Sequence, residues 1–155
     1  MSRSSTSLLP ALGLSVAAVV VLDEMLRRRR AKHEAVGTYL GSAFLQVRQL
    51  LGADHIGLVD STRADGFWAS QRIVYYNPRW ASLKLDQHCT SPSCASAILL
   101  GVFGHEFAHI LFGDHGYGNN CAINHSTELR ADALAGWTLA RLGSSHDHFQ
   151  SLLAE

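Results

Sequence analysis

The sequence has no surplus of charge of either sign. Its 13 basic and 13 acidic residues give a formal net charge of zero, and the basic residues beyond Lys32 are scattered along the chain. A surface that binds nucleic acid needs basic residues concentrated on one face, so we expect no nucleic-acid partner. Internal repeats and low-complexity tracts are also absent, and the length of 155 residues is typical of one globular domain.

Cysteine is scarce, with three residues at positions 89, 94 and 121. The spacing "CTSPSC" matches neither a C-x-x-C motif nor a zinc ribbon, and an odd count argues against a disulfide framework. We therefore favour reduced, structural thiols. A bridge between Cys89 and Cys94 stays open if the domain faces an oxidising compartment.

The longest apolar stretch near the N-terminus is short for a membrane span. Residues Leu8–Leu22 would form a helix of about 22 Å, against a hydrocarbon core of about 30 Å. The basic run Arg27–Arg30 follows this stretch, whereas an export signal has its positive charge in front. We interpret residues 1–30 as an apolar segment with a basic run, a possible membrane anchor through residues 8–22 with the domain in the cytoplasm. The alternative is a soluble cytoplasmic protein whose apolar helix packs on the domain or on a partner.

Residues 31–155 are predicted to form one α+β domain, mostly helical with a small antiparallel sheet. Apolar positions recur with a helical period over Glu34–Leu51. His55–Ser61 is predicted to be a short strand, and Gly66–Pro78 two strand pieces around Ser70 and Gln71.

After the predicted sheet, "RWASLKL" is predicted to begin a short helix, and two longer helices and a short terminal helix follow. The first longer helix begins at Ser91 as N-cap, with Pro92 at the first helical position, and ends at Gly113. The second covers Ser126–Gly143, and a short terminal helix follows over Ser144–Leu153.

The segment "GHEFAHILFGDH" places titratable groups within a predicted core helix. His105 and His109 are four residues apart, so their imidazoles lie on one face, one turn apart, as two ligands of a tetrahedral zinc ion require. Glu106 is rotated away from that face but can reach a water on the metal, the arrangement of the H-E-x-x-H motif of metallopeptidases. The alternative is two core histidines and a surface glutamate, but an unpaired glutamate in such an apolar segment would be costly.

The third zinc ligand has two candidates in the sequence. His115 lies ten residues after His105, but the long motif that uses such a histidine requires glycine at position 112, which is Phe112. Glu128 lies on the next predicted helix, and Asp132 follows it by one turn. Asp132 can accept the N–H of a ligating histidine and so select its tautomer. We therefore favour Glu128 and keep His115 as the alternative.

The stretches "GHEFAHILFGDH" and "ELRADALAGWTLARLGSS" together resemble the gluzincin zinc metallopeptidases, and most closely the HtpX and CAAX-prenyl-endopeptidase group with its small bacterial relatives. The piece "GFWASQRIVYYN" resembles the hairpin that precedes the active-site helix in that group. The resemblance covers about residues 56–146. It implies a minimal zincin-like fold.

The resemblance also assigns roles to individual residues. It implies His105, His109 and Glu128 as ligands of one Zn²⁺, Glu106 as general base, and Asp132 as the partner of a ligating histidine. Phe67, Trp68 and Ala69 would form the edge strand that pairs with an extended substrate. The donor that stabilises the oxyanion is not assigned; the candidates are His115, Tyr117, His146 and His148.

These residues predict a zinc-dependent metalloendopeptidase. Zinc would activate a water, Glu106 would act as general base, and a peptide or protein would be the substrate. The alternative is a zinc-binding module that presents its cleft to a protein partner and has little or no peptidase activity. Retention of Glu106 argues against that alternative, because a purely structural zinc site needs no base.

Overall fold

A computed structural model of the protein describes residues 16–63, 65–114 and 124–153. Over these residues the chain is mostly helical with one small sheet, which confirms the α+β class. The elements in chain order are α1 (Val16–Leu50), β1 (Gly57–Asp60), β2 (Phe67–Ser70), β3 (Ile73–Tyr76), α2 (Pro78–His88), α3 (Pro92–Phe112), α4 (His125–Arg141) and α5 (His146–Leu153). The chain divides into two units, Met1–His33 and Glu34–Glu155, and the second unit holds the sheet and helices α2 to α5.

Helix α1 is longer than the amphipathic helix predicted over Glu34–Leu51, because helical structure already begins at Val16. Residues 8–15 of the predicted membrane segment lie outside the described residues. In the first unit, the apolar side chains at positions 21, 22, 25 and 26 are exposed. In the second unit, Phe44 of α1 packs edge to face on Phe103 and Phe107 of α3, with ring centroids 5.5 and 5.4 Å apart.

The sheet contains three strands in the order β1-β3-β2. Strands β2 and β3 form the predicted antiparallel hairpin around Ser70 and Gln71, and Gln71 adopts the left-handed conformation (φ 56°) that such a tight turn uses. Strand β1 pairs with β3 in parallel, so the sheet is mixed and the prediction of an antiparallel sheet is wrong for this pair. The side-chain alternation of a strand is the same beside a parallel or an antiparallel neighbour, so the pattern could not predict this pairing.

A disulfide bond joins Cys89 and Cys94 across the turn between α2 and α3, so the preference for reduced thiols is wrong for this pair. Cys89 caps the C-terminus of α2, and Cys94 lies in the first turn of α3. The tight turn brings their Cα atoms to 5.4 Å, within the range that a disulfide spans. Cys121 lies outside the described residues.

Helix α3 is the central helix of the domain. It begins after the N-cap Ser91, whose hydroxyl accepts from the backbone N–H of Cys94, and ends at Gly113 in the left-handed conformation, which confirms both predicted ends. Among the described residues, α3 is the one helix long and apolar enough to cross a membrane, but most of it is buried within the domain. It is therefore a core helix, and it carries the H-E-x-x-H segment.

Candidate metal centre

The two histidines of α3 meet a glutamate of α4. The Nε2 atoms of His105 and His109 are 3.0 Å apart. The Glu128 carboxylate lies 3.2 Å from Nε2 of His105 and 3.5 Å from Nε2 of His109. Each of the three residues offers one possible ligand atom, and these three atoms all lie within 4.8 Å of one another. The structure thus brings together the three residues that the sequence predicts as metal ligands.

Small residues at the crossing of α3 and α4 permit this meeting. A Cβ atom added to Gly104 would lie 3.0 Å from Cα of Ala135 and 3.2 Å from the side chain of Thr138. Ala131 and Ala135 are fully buried in the same contact. Helices approach this closely only when the contacting residues are small. The glycine directly before His105 therefore sets how near Glu128 comes to the histidines.

Carboxylates also face the outer nitrogen of each imidazole. Asp132 Oδ1 lies 2.9 Å from Nδ1 of His105, in the place that the sequence predicts. Asp114 Oδ2 lies 3.7 Å from Nδ1 of His109. Asp114 was not among the predicted site residues. The available signal was an acid directly after the glycine that ends the helix.

This arrangement has the chemistry of a cation site. When a carboxylate accepts the Nδ1–H of a neutral histidine, its Nε2 presents a lone pair. Two such lone pairs and the Glu128 carboxylate converge here, and they repel one another unless a proton or a cation lies between them. A tetrahedral zinc ion with bonds of about 2.0–2.1 Å needs neighbouring ligand atoms about 3.3–3.4 Å apart. The observed separations of 3.0, 3.2 and 3.5 Å are near that value, the last two being to different oxygens of Glu128.

The protonation of His109 suits a ligand role. Burial and the neighbouring His105 lower its pKa, against the opposing effects of the carboxylates of Glu128 and Asp114. A lowered pKa favours the neutral imidazole at neutral pH, and the neutral form is the one that coordinates metals.

Glu106 is a buried carboxyl group beside these residues. Burial first, and the charge of Glu128 second, raise its pKa to about 8, while a hydrogen bond donated by the backbone N–H of Ala69 opposes the rise. Its carboxylate accepts that hydrogen bond from strand β2. A group with such a pKa can hold or release a proton near neutral pH.

A cavity of about 230 Å³ opens next to Glu106. Its walls are mainly apolar, and it lies between β2 and helices α2, α3 and α5. Its lining residues are Asp65, Gly66, Phe67, Trp80, Val102, His105, Glu106 and Phe149. The volume exceeds that of a large amino-acid side chain, so the cavity can accept one beside the carboxyl group.

Strand β2 forms one edge of the sheet. Hydrogen-bonded and non-hydrogen-bonded pairs alternate along an antiparallel ladder, and the bond from Asn77 N to Gly66 O (2.9 Å) marks one of the bonded pairs. Phe67 and Ala69 therefore direct their backbone groups to the free edge. Between them, Trp68 points to the other face of the sheet and stacks on Tyr75 at 4.3 Å.

Of the remaining candidate residues, two lie outside the described part of the chain and two lie on α5. His115, the alternative third ligand, and Tyr117 lie outside the described residues. His146 begins α5 and lies against Gly136 of α4, and His148 follows on the same helix. The contact of His146 with Gly136 does not place an oxyanion donor at the ligand cluster.

Comparison with known proteins gives no match: no family model, no curated protein and no solved structure is similar enough to this chain to identify a relative.

Proposed function

We propose that this protein is a zinc-dependent metalloendopeptidase with a minimal, gluzincin-type site. The observation that carries the proposal is the convergence of His105, His109 and Glu128 on one point beside the buried carboxyl group of Glu106. A purely structural zinc site is closed by four protein ligands. Among the described residues, the site has three protein ligands with a carboxyl group next to them, and that is the composition of a hydrolytic site, in which a water completes the coordination.

The residues divide the chemistry of peptide hydrolysis among them. Bound zinc would polarise the scissile carbonyl and lower the pKa of a water. Glu106 would take a proton from that water and pass it to the leaving amine. The Ala69 N–H, which donates to the Glu106 carboxylate, would hold this side chain in place.

Strand β2 and the cavity support a peptide as the substrate. At the free edge of this strand, the backbone groups of Phe67 and the carbonyl oxygen of Ala69 would pair with an extended chain, which would add to the sheet as a further strand, while the Ala69 N–H donates to Glu106. The cavity lined by Phe67, Trp80 and Phe149 would receive an apolar side chain next to the scissile bond. Trp68 points away from this region, so we no longer expect it to contact the substrate.

Two features support opposite sides of a membrane. The basic run Arg27–Arg30 supports anchoring through residues 8–22 with the domain in the cytoplasm; the alternative is a soluble cytoplasmic protein. The disulfide between Cys89 and Cys94 supports an oxidising compartment.

The test of the proposed function uses the full-length protein, its Glu128→Ala variant and its Glu106→Gln variant. We expect about one zinc ion per chain in the wild type and little in Glu128→Ala by elemental analysis. Glu106→Gln should keep its zinc and lose about 10²–10⁴-fold in the cleavage of fluorophore-labelled, unfolded casein, because it lacks the base.

One outcome would change the ligand set, and another would contradict the peptidase. Zinc in both the wild type and Glu128→Ala would move the third ligand to His115. Zinc binding without any casein cleavage in the wild type would favour the alternative, a zinc-binding module that presents its cleft to a protein partner.

A further inference from the structure

Asp114 is held against the last turn of the helix that carries both histidines. Gly113 ends α3 in the left-handed conformation (φ 72°), which turns the chain back on itself. The backbone N–H of Asp114 then donates to the carbonyl oxygen of His109 at 2.8 Å. The Asp114 side chain is 9% exposed, so its carboxylate is buried beside the second histidine.

The two carboxylate oxygens of Asp114 have different surroundings. Oδ1 forms an ion pair with the guanidinium group of Arg130 on α4. Within the described part of the chain, Oδ2 is buried and has no hydrogen-bond partner. A buried carboxylate oxygen without a donor is costly. The nearby donor that can satisfy it is Nδ1 of His109, at 3.7 Å, and a shift of about 0.8 Å would bring the two atoms to normal hydrogen-bond distance.

Arg130 connects this carboxylate to the helix of the third ligand. It lies two residues after Glu128 on α4, and its guanidinium group stacks 4.6 Å above the ring of Phe112, the last residue of α3. The arginine thus joins the end of α3 to the start of α4. Its charge also balances that of Asp114, so this carboxylate can serve as an acceptor without competing for the cation.

We infer that Asp114, held by Arg130, is the positioning residue for His109: it accepts the Nδ1–H of this imidazole and thereby directs the Nε2 lone pair to the metal. The inference rests on the proposed zinc site and adds a second histidine–carboxylate pair to the one formed by His105 and Asp132. Such partners fix the tautomer and the ring orientation of a ligating histidine. Asp114 itself contacts neither the metal nor the substrate.

Zinc affinity, measured by competition with a chromophoric chelator, tests this inference. Loss of a carboxylate partner typically costs 10–100-fold in metal affinity, and we expect Asp114→Ala to fall in that range. Asp114→Asn keeps an oxygen that can accept from Nδ1–H, so it should retain more affinity than Asp114→Ala. Arg130→Met should lower the affinity less than Asp114→Ala, because the acceptor remains but is no longer held. The matched control is Asp54→Ala, which removes the exposed ion pair with Arg48 (3.9 Å) and should leave the affinity unchanged.

The tautomer of His109 is a second measurement. It would not change in Asp114→Ala if Asp114 had only a structural role. Long-range ¹H–¹⁵N NMR of the metal-free protein should show His109 protonated at Nδ1 in the wild type and as a mixture of tautomers in Asp114→Ala. Circular dichroism identifies any variant that fails to fold, and Asp114→Asn then replaces Asp114→Ala in both measurements.

The outcomes separate this inference from the proposed function. If Glu128→Ala loses zinc while Asp114→Ala binds it as tightly as the wild type, the zinc site stands and the role of Asp114 is overturned. If the wild type binds no zinc, the proposed function fails, and the tautomer of metal-free His109 still decides the role of Asp114. An unchanged tautomer in Asp114→Ala overturns that role in either case.

Discussion

The carboxyl groups around the two histidines each face a different partner. Glu128 faces the Nε2 atoms of both imidazoles, and Asp132 and Asp114 each face an Nδ1 atom. Glu106 faces a backbone N–H of strand β2. Four acids of similar intrinsic pKa thus acquire separate chemical tasks from their position. Burial raises the pKa of Glu106 to about 8, and Glu106 is the proposed base.

The raised pKa of Glu106 makes the stability of the metal-free protein depend on pH. Its folded-state pKa of about 8 lies above the value near 4.3 of an unfolded glutamate. Between these values the folded chain binds a proton that the unfolded chain has lost, so stability falls as the pH rises. From pH 7 to pH 8 the free energy of unfolding should fall by about 1 kcal/mol from this group, as measured by urea unfolding in EDTA.

The matched variant Glu106→Gln has no group to titrate and should show a smaller fall over the same pH interval. His109, whose pKa is lowered, changes stability in the opposite sense: it binds a proton more readily when unfolded, so stability rises with pH through about 6.5. The interval from pH 7 to pH 8 therefore isolates Glu106. Equal slopes for the wild type and Glu106→Gln would show that Glu106 is already ionised in the folded protein.

Among the elements, the pair α3 and α4 decides whether a site exists. Each helix alone carries only part of the ligand set: two histidines on α3, one glutamate and its neighbouring aspartate on α4. The ligand cluster depends on the close approach at Gly104 and Ala135. A change that widens this crossing should weaken metal binding without touching a ligand.

Gly104→Ala tests this dependence. Its Cβ would lie 3.0 Å from the backbone of Ala135, so α4 must shift by a few tenths of an ångström. We expect a loss of about 1–3 kcal/mol in the free energy of unfolding together with weaker zinc binding, measured by urea denaturation and chelator competition.

The matched control is Gly41→Ala, in the interior of α1, where an added Cβ meets nothing within 4 Å. Alanine should raise stability there by about 0.5–1 kcal/mol and leave zinc binding unchanged. The role of the crossing is refuted if Gly104→Ala binds zinc as the wild type does.

At the scale of the whole molecule, the open question is where the chain resides. The apolar residues 8–22 and the basic run after them predict that the full-length protein stays with membranes during alkaline carbonate extraction. Two charges in the middle of the apolar stretch, Leu14→Arg with Val16→Arg, should release it, because charged residues at the centre of a span cost about 2.5–3.5 kcal/mol each. A wild-type protein found entirely in the supernatant would favour the soluble alternative.

The three cysteines report on the compartment that holds the domain. With the disulfide between Cys89 and Cys94 intact, alkylation of the denatured protein without reductant should add one label, at Cys121. We expect this result, which would place the domain in an oxidising compartment and make the prediction of a cytoplasmic domain wrong. Three labels, counted by mass spectrometry, would mean reduced thiols and would support the cytoplasm.

Much of the site could be predicted from local sequence. Residues four apart lie on the same face of a helix, so the spacing of His105 and His109, and that of Glu128 and Asp132, is enough to predict which side chains are neighbours. Glu106 belongs to the same turn as the two histidines. The ends of α3 were equally predictable, because Ser91 and Gly113 act on the backbone groups next to them. The amino-acid sequence by itself determined these features, since they depend on interactions within a few residues.

Other features depend on contacts between distant segments, and only the tertiary structure decided them. The parallel pairing of β1 with β3 and the link from Asp114 to Arg130 both join residues whose closeness no local pattern encodes. Asp114 gains its role because Gly113 turns it back onto His109 and because α4 brings an arginine to it. Local periodicity predicts what each helix presents, whereas the packing of α3 against α4 determines which of those groups meet.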